Sequence, residues 1–159
     1  MDLLWRQRPA HGAGSVADEG SKGLLVCMKL EYCIMSWRYE RGEGRMKHCW
    51  GKPSAGFIPT GKGAIGKCSS EISDPVAQQL LDTGEPLFEF DGDFYPSKIF
   101  NVYKGVIYEA VPTVPGRSYH GYPWRGDRPP LKIVEKLEQM ARADGYGAEF
   151  KKWLKENSK

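Results

Sequence analysis

One stretch near the carboxyl end of the sequence, residues 115–130, concentrates side chains that can do chemistry. His120 lies there among three arginines, two tyrosines and a tryptophan, between prolines and glycines. Imidazole has an unperturbed pKa of about 6.5 and can donate or accept a proton near neutrality, and an arginine can hold a phosphate through two parallel hydrogen bonds. The stretch therefore suggests acid–base chemistry on an anionic substrate, with His120, Arg117 and Tyr119 as candidate catalytic residues.

A metal-independent nuclease or other small hydrolase of toxin type is one function that fits these residues. In it His120 acts as general acid or base, and Arg117 holds the phosphate. The reaction also needs a second proton-transferring group, for which Tyr119, Tyr122 and Glu109 are the candidates. This hypothesis requires a partly exposed His120 with a cation and a second acid or base within reach, and a buried His120 bonded to backbone through both nitrogens would exclude it.

A binding role uses the same stretch and is the leading hypothesis from the sequence. Arginines interleaved with aromatic rings can stack on exposed bases and neutralise phosphates, or they can form the centre of a protein interface. We expect a small soluble binding or interaction module with an arginine and aromatic surface at 117–128, because such loops often pack without doing chemistry. Its partner is a protein or a single-stranded nucleic acid, and its binding residues are Arg117, Tyr122, Trp124, Arg125 and Arg128.

Three further motifs resemble known sites but lack essential parts. The string 61–68 matches a phosphate-binding loop except at Cys68, which replaces the hydroxyl that holds magnesium, and no apolar strand leads into it. Residues 91–93, Asp-Gly-Asp, start like a calcium loop without the acidic residues that should follow. We predict no metal site and no cofactor. A zinc site would need ligands whose irregular spacing is not typical of zinc proteins, namely His48, Cys49, Cys68 and one of Cys27 or Cys33.

Composition places the chain among globular proteins. Of its 159 residues 40% are hydrophobic and 27% charged, and a formal net charge of +3 is too small to indicate a polyanionic partner by itself. The longest apolar run, 24–28, is far shorter than the roughly 18 residues that would cross a bilayer, and arginines interrupt the apolar amino terminus before a secretory signal can form. We predict a soluble, cytoplasmic protein with free thiols and no membrane segment.

The elements that position the stretch belong to one predicted α+β domain. Two runs rich in β-branched and aromatic residues flank Lys104-Gly105 and predict a hairpin near 98–111 in a small antiparallel sheet. Both faces of the hairpin are apolar, so we expect both to be covered. Pro112 and Pro115 are expected to end its second strand, which makes 115–130 an ordered connector to the next helix.

Three helices are expected to pack on this sheet. Pro75 suits a first helical position and Gly84 a carboxyl-terminal stop, so the first is short, near 75–83. Two helices follow at the carboxyl end, from Leu131 to about Ala143 and over 148–156. The rest of the chain is predicted to comprise a disordered tail at 1–23, a strand within 24–39 and a Gly/Lys/Pro-rich loop at 41–70, with 24–159 forming the single domain.

Overall fold

The computed structural model describes residues 37–41, 50–61 and 63–159. These residues all belong to one compact unit. The predicted tail at 1–23 and most of the strand predicted within 24–39 lie outside them. No helix in the described ranges is long and apolar enough to cross a bilayer. The elements are β1 (Arg38–Tyr39), β2 (Gly56–Thr60), β3 (Gly63–Lys67), α1 (Asp74–Asp82), β4 (Glu85–Leu87), β5 (Lys98–Tyr103), β6 (Val106–Val114), β7 (Ser118–Pro123), α2 (Leu131–Ala143) and α3 (Gly147–Asn157).

The main sheet has five strands in the order β1-β7-β6-β5-β4. Strand β1 runs parallel to β7, and every other pair is antiparallel. The mixed sheet and three helices confirm the predicted α+β class, with the short helix and the two carboxyl-terminal helices where the sequence indicates them.

The central hairpin, β5–β6, forms at the predicted position. Tyr103 pairs with Val106, so the loop between the strands is Lys104-Gly105 alone. Both residues have positive φ, 49° and 78°, as a type I′ turn requires. Strand β6 then continues through Pro112 to Val114, which corrects the prediction that Pro112 ends it. The pairing with β7 is irregular between Pro112 and Val114. A proline, which has no backbone N–H, is tolerated at such a bulge because the hydrogen-bond ladder is already interrupted there.

The predicted loop at 41–70 contains a second hairpin, β2–β3, as a separate two-stranded sheet. Its glycines and prolines are typical of loops, but contacts with distant parts of the chain hold it. Phe57 stacks on Trp153 of α3 with ring centroids 5.7 Å apart. Gly66 lies against Pro123, where an added Cβ would come within 3.2 Å of the proline ring. Tertiary packing therefore overrides the local preference.

Helices cover both faces of the main sheet, as the apolar pattern predicts. On one face α1 packs over Ile99 and Tyr119 through Leu81. On the other face α2 and α3 bury the end of the sheet that carries the turn between β5 and β6. Burying a leucine or phenylalanine fully contributes about 1.5–3 kcal/mol, so these contacts fix the helices on the sheet. The second core comprises Phe100, Val102, Ile107, Trp124, Ile133, Val134, Leu137, Ala141 and Phe150.

Candidate functional site

The stretch 115–130 is not a connector but contains β7, an inner strand of the main sheet. Side chains of a strand alternate between its two faces, so neighbours in this sequence lie on opposite sides. Tyr122 pairs with Glu109, and Glu109 pairs with Phe100, which belongs to the face that carries α2 and α3. His120, two residues from Tyr122, shares that face, whereas Tyr119 lies on the face of α1.

Tyr119, one of the candidate catalytic residues, is a core residue. It is 0% exposed, and its hydroxyl donates a hydrogen bond to the carbonyl oxygen of Pro96 at 2.7 Å. The Trp37 ring packs edge-on against it at 5.7 Å. Burial raises the pKa of Tyr119 far above its ordinary value, so the phenol stays neutral. Its side chain is therefore shielded from solvent.

Trp124, an expected binding residue, is also part of the core. It is 2% exposed and lies in the cluster under α2 and α3. Its backbone nitrogen donates to the carbonyl of Ile107 at 2.8 Å, and its carbonyl accepts from Trp153 Nε1 at 3.2 Å. We conclude that Trp124 fixes the end of β7 rather than contacting a partner.

Four polar side chains on three adjacent strands form the candidate site, which we call the polar row: Lys98, Glu109, Tyr122 and His120. Glu109 Oε1 accepts a hydrogen bond from the Tyr122 hydroxyl at 2.8 Å, and Oε2 accepts one from Lys98 Nζ at 3.1 Å. The His120 ring lies 6.0 Å from the Tyr122 ring, centroid to centroid. The row occupies the end of the α2–α3 face opposite the turn between β5 and β6.

The polar row combines a buried carboxylate with groups that reach solvent. Glu109 is 6% exposed, so its charge must be compensated by the lysine and the tyrosine that contact it. The Lys98 side chain is 43% exposed, which opens this end of the row to solvent. His120 is partly exposed, and its Nδ1 lies 3.0 Å from Thr113 Oγ1, a contact that orients the ring. A proton acceptor, an imidazole and a cation therefore share one side of the sheet.

The arginines of the predicted surface do not lie together. Arg117 is exposed in the turn before β7, and Arg125 is exposed beyond its other end. A strand such as β7 advances about 3.3 Å per residue, so these two arginines are separated by roughly 17 Å or more. Arg128 is exposed further along the chain. The surface at 117–128 is thus divided, and the cation at the polar row is Lys98 rather than Arg117.

Of the ligands considered for a zinc site, the structure describes only Cys68. Within the described ranges, no three His, Cys, Asp or Glu side chains group in a way that could hold a metal ion. Cys68 is partly buried, with its sulfur 3.9 Å from the carbonyl oxygen of Gly121. The other ligands of the zinc set considered above, His48, Cys49, Cys27 and Cys33, lie outside the described residues.

Sequence reasoning alone missed Lys98 as a site residue and named Glu109 only as one of three options. The signal for Lys98 was present, because the register of the hairpin places it diagonally across from Glu109. The pairing of Glu109 with Tyr122 depends on the irregular β6–β7 register, which no local sequence pattern predicts.

No protein-family model, no curated protein and no solved structure matches the chain. The candidate site is accordingly interpreted from its own geometry.

Proposed function

We propose that this protein cleaves RNA by metal-independent acid–base catalysis at the polar row. The observation that carries the proposal is the contact set of Glu109, a nearly buried carboxylate held by Lys98 and Tyr122, on the same sheet face as a partly exposed His120. Glu109 and His120 are diagonal neighbours across β6 and β7. Such diagonal neighbours lie roughly 7–8 Å apart, with their Cβ atoms somewhat closer, and in our proposal one phosphate group lies between the two side chains.

In this mechanism the carboxylate and the imidazole act on opposite sides of the phosphorus. Glu109 takes the proton of the ribose 2′-hydroxyl, and the resulting 2′-oxygen forms a bond to phosphorus. The bond from phosphorus to the 5′-oxygen breaks, and protonated His120 gives its proton to that leaving oxygen. The products are a 2′,3′-cyclic phosphate and a free 5′-hydroxyl. Lys98 stabilises the negative charge that develops on the phosphoryl oxygens.

Tyr122 is a positioning residue in this scheme. Its hydroxyl donates to Glu109 Oε1 at 2.8 Å and fixes one carboxylate oxygen. The other oxygen is then the one that faces Lys98. Thr113 has the corresponding effect on the imidazole through its contact with Nδ1. Such fixed geometry is what acid–base catalysis requires of its proton donor and acceptor.

Cleavage of a single-stranded RNA in chelator tests the proposal. Wild type is compared with His120→Ala and Glu109→Gln, and Glu135→Gln, an exposed carboxylate on α2, is the matched control. We expect both site variants to lose at least about 100-fold in rate, the usual contribution of an acid or base, and the control to cleave like wild type. Thermal melting verifies that each variant folds. Wild type that leaves the RNA intact, or folded site variants that cleave at the wild-type rate, would contradict the proposal.

A binding module without catalysis is the second candidate. The observation that favours it is Arg125, whose guanidinium lies 5.3 Å above the Phe57 ring outside the polar row. A stacked arginine is a common anchor for an anionic or aromatic partner, whether a single-stranded nucleic acid or a protein. Wild type that binds a single-stranded RNA, measured by fluorescence anisotropy, but does not cleave it would favour this candidate.

A further inference from the structure

A pocket of about 520 Å³ lies between the β2–β3 hairpin and the end of β7. Its size is within the usual range of small-molecule sites. Tyr122 forms part of its wall, so the pocket adjoins the polar row. The charged side chains that line it are Arg125 and Lys159, and both are cationic. The remaining lining residues are Phe57, Pro59, Gly63, Ala64, Gly66 and Pro123.

Arg125 lies over an aromatic ring at this pocket. Its guanidinium carbon lies 5.3 Å from the Phe57 ring centroid, and Phe57 stacks on Trp153 at 5.7 Å with 30° between the rings. The Trp153 indole nitrogen in turn donates to the backbone at Trp124. A guanidinium over an aromatic ring interacts with the ring face and keeps its N–H donors available for a ligand. No carboxylate among the described residues forms an ion pair with Arg125.

The backbone around the pocket is also fixed. Gly126 and Lys159 bond to each other through Lys159 N and Gly126 O at 3.0 Å, and Gly126 N donates to Asn157 O at 3.0 Å. On the other side, Gly66 fits so closely against Pro123 that a Cβ there would lie 3.2 Å from the proline ring. The backbone that carries the two cations and the Gly66–Pro123 contact are therefore preorganised, which lowers the cost of ordering this part of the pocket when a ligand binds.

We propose that this pocket, the Arg125 pocket, binds one nucleotide unit of a single-stranded RNA, with the phosphate on Arg125 and Lys159 and the base against Tyr122. The inference rests on the proposed function, because Tyr122 belongs to both the pocket and the polar row, and it names how that site holds its substrate. Cationic donors match the phosphate, and an aromatic wall accepts any base by stacking. A base that is paired in a duplex is not available to enter the pocket, so the substrate is single-stranded.

Fluorescence anisotropy with a single-stranded 2′-O-methyl RNA tests the pocket separately from catalysis. This probe has no free 2′-hydroxyl, so the proposed reaction cannot cleave it. We expect Arg125→Ala to weaken binding at least about tenfold, and Arg125→Lys to weaken it less, because lysine keeps the charge but loses the two-pronged geometry. Arg38→Ala, which changes an exposed arginine on β1 outside the pocket lining, is the matched control and should bind within about twofold of wild type. A duplex of the same sequence should compete poorly.

The outcomes separate this inference from the proposed function. Binding that depends on Arg125, with no cleavage of unmodified RNA, supports the pocket and contradicts catalysis. Cleavage that depends on Glu109, with unchanged probe binding by a folded Arg125→Ala variant, supports catalysis and overturns the pocket. Equal losses in Arg125→Ala and Arg38→Ala indicate general electrostatic attraction and also overturn the pocket, as does wild type that does not bind the probe.

Discussion

Replacing Gly105 by alanine is expected to destabilise the protein by an amount that reports how tightly the central hairpin packs on α3. Gly105 is the second residue of the turn between β5 and β6 and has a φ of 78°, which L-residues rarely adopt. A Cβ at this position would overlap Glu149 Cβ and would lie 2.9 Å from the backbone nitrogen of Phe150. The turn therefore has no space for a side chain, in addition to its unfavourable φ.

The magnitude follows from two separate effects. The left-handed conformation costs an alanine about 1–2 kcal/mol. The overlap is with the backbone and Cβ of α3, which cannot rotate away as a long side chain would, so relief requires a shift of the helix or the turn and costs about 1–3 kcal/mol more. We expect a total loss of about 2–5 kcal/mol in the free energy of unfolding, a large part of the roughly 5–15 kcal/mol typical of a domain.

Gly145→Ala is the matched control for Gly105→Ala. Gly145 follows α2 with a φ of 84°, and a Cβ there would meet nothing within 4 Å. This variant carries only the conformational effect and should lose about 1–2 kcal/mol. Urea denaturation of both variants gives the comparison, provided that the denaturant slope matches that of wild type. Equal losses in the two variants would refute the close packing of the turn against α3.

Three further predictions concern the groups around the polar row and under α1. Lys98→Met should lower the free energy of unfolding by about 1–2 kcal/mol at pH 7, because it removes a charged partner from a nearly buried carboxylate. A double-mutant cycle should show a smaller loss when Glu109→Gln is also present. Burial raises the pKa of Tyr119, so at high pH the folded state keeps a proton that the unfolded state loses. The free energy of unfolding should therefore fall as the pH rises above about 10, the ordinary pKa of tyrosine. Denaturation between pH 8 and 11 should show a shallower fall in Tyr119→Phe than in wild type. Asn101→Ala removes a 2.6 Å bond to the Leu80 carbonyl in the last turn of α1 and should cost about 1–3 kcal/mol by urea denaturation.

Those parts of the fold that depend on local signals could be predicted from the sequence. Lys104-Gly105 between two β-rich runs specified a hairpin, and Pro75 specified the start of α1. The β2–β3 hairpin could not be predicted in this way, because its strands are short and rich in glycine. Its stability comes from Phe57 against Trp153 and from Gly66 against Pro123, contacts between residues far apart in the chain.

The candidate site was predicted only in part, because closeness in sequence is not closeness on a strand. Tyr119 and His120 are adjacent in the chain, yet β7 places the first in the core under α1 and the second on the opposite face. Lys98, by contrast, lies eleven positions from Glu109 and contacts it. The register of the β5–β6 hairpin implies the Lys98 contact. The contact of Tyr122 with Glu109, in contrast, depends on the bulge that shifts the β6–β7 register, and no sequence pattern predicted that bulge.

The energetics of the polar row support a role beyond stability. A nearly buried carboxylate in an ion pair generally contributes no more to stability than a well-packed apolar side chain of similar volume, because its charge must be desolvated. The adjoining positions of the same face show that apolar packing is feasible, since Phe100 pairs directly with Glu109 and joins the core under α2 and α3. A sheet face that needed only stability could therefore have continued this apolar core. The proposed chemistry would give the carboxylate at position 109 a use at this face, and its contacts with Lys98 and Tyr122 fix the direction of both carboxylate oxygens.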